Sequence, residues 1–195
     1  MNPLEHLHKK LNGISPISSK DTKILGENST LRSVKKGEFI LKEGQIAREI
    51  GFVLSGIFRV YQLVDGKEFT SYFNYSERNQ FVSSFPSFLK QNNSFENIEA
   101  LEDSEVLTVN FQQLNFLYQT SKNFERLGRI MAENNYLLSM ERIQSLQYQS
   151  ASDRYRIFME IYPGLLNRIP HHYIASYLGI TPESMSRIRK DLLKK

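Results

Sequence analysis

Between Leu31 and about Val109 the chain runs in short apolar and polar alternations, punctuated by Gly37, Gly44, Gly56 and Gly66. In GIFRVYQLV the residues Phe58, Val60, Gln62 and Val64 fall on one face of an extended segment, the two-residue period of a strand. Regularly spaced short strands with turn residues between them predict a sandwich or barrel. Asp65-Gly66 predicts a tight hairpin, because a type I′ turn needs positive φ at both central residues and this pair tolerates it. Upstream, residues 1–30 read as short helical turns, with Ser18 or Ser19 as a cap and Gly26 as a stop in SSKDTKILG.

From about Phe111 to Ser145 the period lengthens to that of a helix, with no proline and only Gly128 to weaken it. Leu127, Ile130, Met131, Leu137 and Leu138 lie on one stripe, and Asn134 and Glu141 fall inside it. Such a stripe suits a partner helix, where an Asn sets the register; it suits equally a helix packed on the chain's own barrel. YQSASDRYR then interrupts the pattern as a hinge and a new helix start, with Ser150 or Ser152 as the cap. Tyr155, Phe158, Met159 and Tyr162 share one face of that helix, Pro163-Gly164 ends it, and Pro170 begins another. Two units follow, at 1–147 and 148–195.

The closing stretch ASYLGITPESMSRIRKDLLKK carries the sharpest pattern. Ala175 lets two helices approach closely, and Gly179 suits the positive φ of a turn after a helix end. Thr181 is a cap candidate, and Pro182 stands at the first helical position, where its missing N–H costs nothing. Met185, Ile188 and Leu192 form an inward face that matches Ile174, Leu178 and Ile180. Glu183, Ser186, Arg187, Lys190 and Lys194 line the outward one. This front fits a major groove: Arg grips guanine with two bonds, Glu accepts from cytosine N4, and Lys meets phosphates. The spacing of Ile174, Ala175, Leu178, Gly179, Ile180, Met185 and Ile188 is similar to that of a helix-turn-helix.

Charge sharpens this reading. The net charge is +4, and all of it lies from Arg168 onward, where six basic residues face only Glu183 and Asp191. A localised positive end attracts a polyanion or is a solvated basic tail. No apolar run approaches membrane-spanning length and no secretory signal opens the chain, so the expected compartment is the cytoplasm. The absence of cysteine removes disulfides, thiolate metal sites and a cysteine nucleophile. His6, His8, His171 and His172 lack carboxylates at ligand spacing, so no metal or other cofactor is expected. No phosphate loop, nucleophile elbow or dinucleotide fingerprint is present. The acidic run of Glu99, Glu102, Asp103 and Glu105 has no partnered base, and no enzyme is expected.

Three stretches together resemble the Crp/Fnr family of bacterial transcription regulators. VKKGEFILKEGQIAREIGFVLSGIFRVYQLVDGKE and ENIEALEDSEVLTVNFQQL are similar to the front and last strands of that family's roll. RYRIFMEIYPGLLNRIPHHYIASYLGITPESMSRIRKDL is similar to its DNA-binding part. The resemblance implies an α+β fold: an N-terminal cyclic-nucleotide-binding-type β-roll, jelly-roll-like; a long dimerisation helix at about 111–146; and a C-terminal helix-turn-helix lacking a complete wing. It implies a homodimer acting on double-stranded DNA, with an unidentified small-molecule effector and RNA polymerase as further partners, and no membrane. Glu183 and Arg187 match the family's base-reading Glu and Arg, whereas Pro182 stands where many relatives have a basic contact. The sequence stops at Lys195 without a wing, so further phosphate grip is expected from elsewhere. In the sensor, Val82 to Ser84 stand where cyclic AMP binders carry Gly-Glu, and Ser94-Phe95 where they carry Arg followed by Ser or Thr. With no cation for a buried phosphate, cyclic AMP binding is not expected. Phe81, Ser83, Ser84, Ser94 and Phe95, with Phe85 and Phe88 nearby, line an apolar effector pocket or, for the phenylalanines, form roll core. The alternative function is a ligand-binding roll whose basic end docks on an acidic protein.

Overall fold

The computed structural model describes residues Pro3–Leu192. Two helices open it, α1 (Pro3–Ile14) and α2 (Ser19–Glu27). Of the two serines named as caps, Ser18 takes the role: its hydroxyl accepts from Asp21 N at 3.0 Å, and the Asp21 carboxylate accepts from Ser18 N at 3.0 Å. This reciprocal pairing satisfies two donors that a helix start leaves open. Gly26 is not the stop; the helix continues to Glu27, and Asn28 closes it by donating to the carbonyls of Ile24 and Leu25. These turns are full helices because Leu7, Leu11, Ile17 and Leu25 pack into one buried cluster with Phe52, Leu107, Leu117, Phe124 and Leu127.

Eight strands follow: β1 (Thr30–Val34), β2 (Phe39–Leu41), β3 (Glu49–Ser55), β4 (Ile57–Val64), β5 (Lys67–Tyr75), β6 (Phe81–Val82), β7 (Asn97–Ala100) and β8 (Ser104–Asn110), with α3 (Phe85–Lys90) between β6 and β7. They form two four-stranded sheets, in the orders β1-β8-β3-β6 and β2-β7-β4-β5. In the first sheet β8 runs antiparallel to both neighbours, with Thr108 opposite Thr30 on one side and Gly51 on the other. Two sheets with sequence-distant strands side by side make the expected jelly-roll-like roll, and helices on either side of it complete the α+β class.

Asp65 and Gly66 turn the β4–β5 hairpin with φ of 50° and 75°, as their positive-φ tolerance predicts. The alternation read into β4 is corrected. Ile57 to Tyr61 are all buried, including Arg59, whereas Leu63 and Val64 are exposed. Both faces of the strand are covered at its start and open at its end, so burial follows position along the strand rather than the face.

The helix expected from 111 to 146 is two helices, α4 (Phe111–Thr120) and α5 (Lys122–Tyr148). Ser121 is extended, with φ −152° and ψ 130°, and its N–H still reaches the Leu117 carbonyl at 3.2 Å. The break lets Leu117 and Phe124 enter the same cluster from two directions. After α5 come α6 (Ala151–Ile161), capped by Ser150, a short 3-10 turn at Leu165–Asn167, α7 (His171–Leu178) and α8 (Pro182–Leu192). Tyr155 and Phe158 on α6 and Tyr162 at its C-terminal cap are buried, but Met159 is exposed.

The chain divides into two compact units that are not contiguous in sequence: residues 1–60 with 73–135, and residues 61–72 with 136–195. The outer part of the β4–β5 hairpin and the second half of α5 therefore belong with the C-terminal helices.

Within the first unit Asp21 is buried. Burial raises its carboxyl pKa, but hydrogen bonds from Asn123, from Ser18 N and Oγ and from Ser121 outweigh it, lowering the value from 3.8 to about 2. A carboxyl depressed in the folded state stabilises fully above its unfolded value and loses that contribution as pH falls through the folded one. Asp21→Asn is expected to melt below the unsubstituted protein near about pH 7, with the gap closing between about pH 4 and 2. Thermal unfolding followed by circular dichroism checks this, and a gap constant with pH would contradict it.

Candidate nucleic-acid interface

The C-terminal helices are positioned from the turn outward. Gly179 adopts φ 65° and ψ 36°, and the Ile180 N–H bonds back to Ala175 O at 3.0 Å, a closure that ends α7 and reverses the chain. Thr181 then caps α8, its Oγ1 accepting from Ser184 N at 3.2 Å, and Pro182 takes the first helical position. Ile174, Ala175 and Leu178 on α7 and Met185 on α8 are buried, so the two helices share an apolar seam with α6. Ile188 and Leu192 are half-buried beside it.

This seam decides what α8 shows to the outside. Glu183, Ser186, Arg187 and Lys190 are exposed and, with Pro182 and Asp191, edge one shallow groove. The Glu183 carboxyl is held below its ordinary value by its own backbone N–H and by Thr181, and so is ionised near neutrality. Ser186, Arg187 and Lys190 lie one to two turns further along the same face. The expected contact Lys194 lies outside the described residues.

Sequence reasoning missed three residues that fix this arrangement. Arg142 on α5 donates to the Tyr177 carbonyl, and its guanidinium stacks 4.1 Å over the Tyr177 ring. Burial lowers its pKa, while Tyr177 opposes that shift. Arg154 on α6 donates from Nε to the Leu178 carbonyl at 2.8 Å and from Nη1 to the Gln149 carbonyl at 2.6 Å. The last carbonyls of α7 thus meet two cations, the charge that a helix C-terminus favours. Ser176 ties α7 to the hairpin: its hydroxyl accepts from Thr70 N at 2.9 Å and donates to Glu68 O at 2.7 Å. No local pattern marks these three, because the partners that tie them to α7 or to the hairpin lie far away in sequence.

The stripe expected to pair in a dimer is divided. Leu127 is buried in its own chain's cluster, and Met131 packs against that cluster. Ile130 and Leu138 are half-buried, while Asn134 and Leu137 are exposed. Tyr136, Ile143, Leu146 and Tyr148 add exposed apolar surface along α5.

The expected effector residues do not form one pocket. Phe95 is 75% exposed and cannot line an interior site; it is a correction, because the stretch between α3 and β7 turns its side chain outward. Phe81 packs edge-on to Phe52, with ring centroids 5.2 Å apart, and edges a small apolar recess with Leu117, Leu127 and Met131. Ser83 lines a larger cavity in the roll and donates to Glu49 O at 2.8 Å. Ser84 and Ser94 are buried. Ser94 folds onto its own turn, bonding Glu96 O at 3.0 Å and Glu96 N at 2.9 Å. Burial raises the Glu96 carboxyl pKa and a hydrogen bond from Ser84 opposes this, so a carboxyl group lies between the two stretches that the resemblance sets against a cyclic nucleotide. Phe88 is fully buried roll core, stacked edge-on to Phe111.

Elsewhere, His8 is engaged by the Thr22 hydroxyl at 2.5 Å and by Asn12 at 3.0 Å. Asp103 of the acidic run pairs with Lys35 at 2.9 Å. Among the described residues no helix is long and apolar enough to cross a membrane.

A roll with a short helix inserted before its last two strands, a long helix and a closing pair of helices joined by a tight turn together define the architecture. Residues 31–121 match the family model of the cyclic nucleotide-binding domain. No curated protein matches the chain. Among solved structures it is similar to FixK2 from Bradyrhizobium japonicum, with 21% identity over 85% of each chain and a TM-score of 0.70. It is also similar to CLP, a c-di-GMP responsive global regulator of Xanthomonas campestris, with 16% identity over 91% of this chain and 92% of that one and a TM-score of 0.72. A third is a transcriptional regulator assigned to the crp/fnr family from Eubacterium rectale, with 21% identity, 91% and 85% covered and a TM-score of 0.67. The fold is that of the Crp/Fnr proteins, and these matches support the resemblance read from the sequence.

The turn offers a direct check. A side chain at Gly179 is strained by its positive φ, and a Cβ there would lie 3.0 Å from Leu146 Cδ2. Gly179→Ala is expected to destabilise the C-terminal unit by about 1–2 kcal/mol, read as a lower urea midpoint; an unchanged midpoint would refute the role assigned to this turn.

Proposed function

We propose that the protein is a homodimeric, sequence-specific DNA-binding transcription regulator of the Crp/Fnr type. One observation carries this reading: α8 buries Met185 and leaves Glu183, Ser186, Arg187 and Lys190 together on an open face. That set supplies an acceptor for cytosine, a two-pronged donor for guanine and a cation for phosphate. On one stripe of α5 the exposed Asn134 and Leu137 and the half-buried Ile130 and Leu138 support pairing of two copies along that helix, since apolar surface around a central polar residue favours a partner helix. Two reading heads then address a two-fold symmetric operator. Selection of bound duplexes from a random pool tests the whole reading: a palindromic consensus is expected. Failure to enrich any sequence would overturn it and favour the ligand-binding roll with an acidic protein partner.

Within that framework the front of α8 separates into reading and gripping groups. Arg187→Ala is expected to relax discrimination at one base pair per half-site at a cost of about 1–3 kcal/mol. Lys190→Ala is expected to weaken all duplexes alike and to flatten the salt dependence. Gel-shift titrations over several salt concentrations measure both, and indistinguishable effects would contradict the assigned roles.

The sensor does not take cyclic AMP in this reading. Where the nucleotide's phosphate would need a cation, Ser94 is turned onto its own backbone and the Glu96 carboxyl is bonded by Ser84. A phosphate there would lose charge-assisted hydrogen bonds and face a group that is negative once ionised. Millimolar cyclic AMP is expected to leave the melting temperature unchanged, and a saturable rise would refute this.

A further inference from the structure

The roll contains a cavity of about 510 Å³ between its sheets, within the range typical of small-molecule sites. Ile40, Leu41, Ala47, Val82 and Ile98 supply apolar wall, and Arg32, Arg48 and Glu49 supply its charged groups. Arg32 is already spoken for: its Nη1 lies 2.8 Å from Glu49 Oε2. Arg48 is exposed and, among the described residues, has no ion-pair or hydrogen-bond partner. The lining therefore holds one compensated pair and one unmatched guanidinium beside an oily interior. Gln45 adds a donor, since its Oε1 accepts from Lys42 N at 2.9 Å and its amide NH2 is left over.

We infer that this cavity binds a small organic carboxylate with an apolar body, the carboxylate held by Arg48 and the body against the apolar wall. A guanidinium pairs a carboxylate with two parallel bonds. A single unmatched positive charge suits a monoanion; a dianion would bring a second charge for which the lining, with Arg32 already paired to Glu49, has no partner. A neutral apolar molecule would gain nothing from the guanidinium, which stays in water. Val82 and Ser83, from the stretch matched to the Gly-Glu pair, line this cavity, whereas Ser84, Ser94 and Glu96 do not, so the carboxylate grip at Arg48 lies away from the position matched to the nucleotide's phosphate contact. The inference deepens the sensor half of the proposed regulator and rests on there being an effector. It is read by ligand binding alone, so its failure and a failure of DNA selection are distinguishable.

Octanoate, octan-1-ol, octyl phosphate and cyclic AMP serve as probes on the full-length, isotope-labelled protein, with amide shifts read by two-dimensional nuclear magnetic resonance. Octanoate is expected to shift the amides of Ala47, Arg48, Gly51 and Ser83, and to bind about tenfold more tightly than octan-1-ol. Arg48→Ala, at an exposed position, is expected to fold and to abolish that tenfold preference. Octyl phosphate is expected to bind more weakly than octanoate. Equal affinity for acid and alcohol, or retention of the preference in Arg48→Ala, would overturn the assignment of the head group. Shifts confined to the recess around Phe81 and Leu127, tighter binding of octyl phosphate or cyclic AMP, or no shifts at millimolar octanoate would overturn the site.

Discussion

The carbonyls of Tyr177 and Leu178 end α7 against the guanidiniums of Arg142 and Arg154, and the direction of α8 follows from that contact. A helix C-terminus presents unpaired carbonyls and a partial negative charge, so two cations there satisfy both demands at once. With α7 held, the turn at Gly179 leaves α8 one way to bury Met185, and the polar groups spaced along its other side are turned outward. The exposed front of α8 is in this sense a by-product of where α7 stops. Ser176 adds the hairpin to the same frame through two bonds from one hydroxyl.

The roll solves a different problem. Two sheets joined by sequence-distant strands leave space between them, and that space is filled unequally. Around Phe58, Phe73 and Phe88 it is closed with fully buried rings. Around Ser94 and Glu96 it is closed with short hydrogen-bonded turns. Beside β2, β3 and β7 it stays open, with an ion pair and a free guanidinium among its lining. The roll keeps the architecture of the cyclic nucleotide-binding domain, and on the reading proposed above its polar groups serve another ligand, because strand order constrains the backbone and not the chemistry of the side chains facing inward.

Much of the local structure was legible along the chain. The caps Ser18, Ser150 and Thr181, the turn residues Asp65-Gly66 and Gly179, and the split of α8 into buried and exposed sides each depend on neighbours within a few residues, where propensity and periodicity act directly. Reading failed once at a local cap and otherwise where distant groups compete. Gly26 looked like a stop, but Asn28 reaches back to two carbonyls one turn earlier. The long helical run looked unbroken, but packing Leu117 and Phe124 into one cluster requires the extended Ser121. Phe95 looked like pocket lining, but its segment faces outward.

By itself, then, the sequence determined the kind of elements, their order, and the exposed polar face of the last helix, because these are set by short-range backbone preference and by the spacing of apolar residues. Only the tertiary structure decided that Leu127 serves its own chain's core, that Arg142 and Arg154 cap α7 from other helices, and that Arg48 stands unmatched while Arg32 is taken by Glu49. Those outcomes depend on which groups meet across the fold. Burial and charge pairing are properties of the neighbours a side chain acquires, and a linear pattern does not contain them.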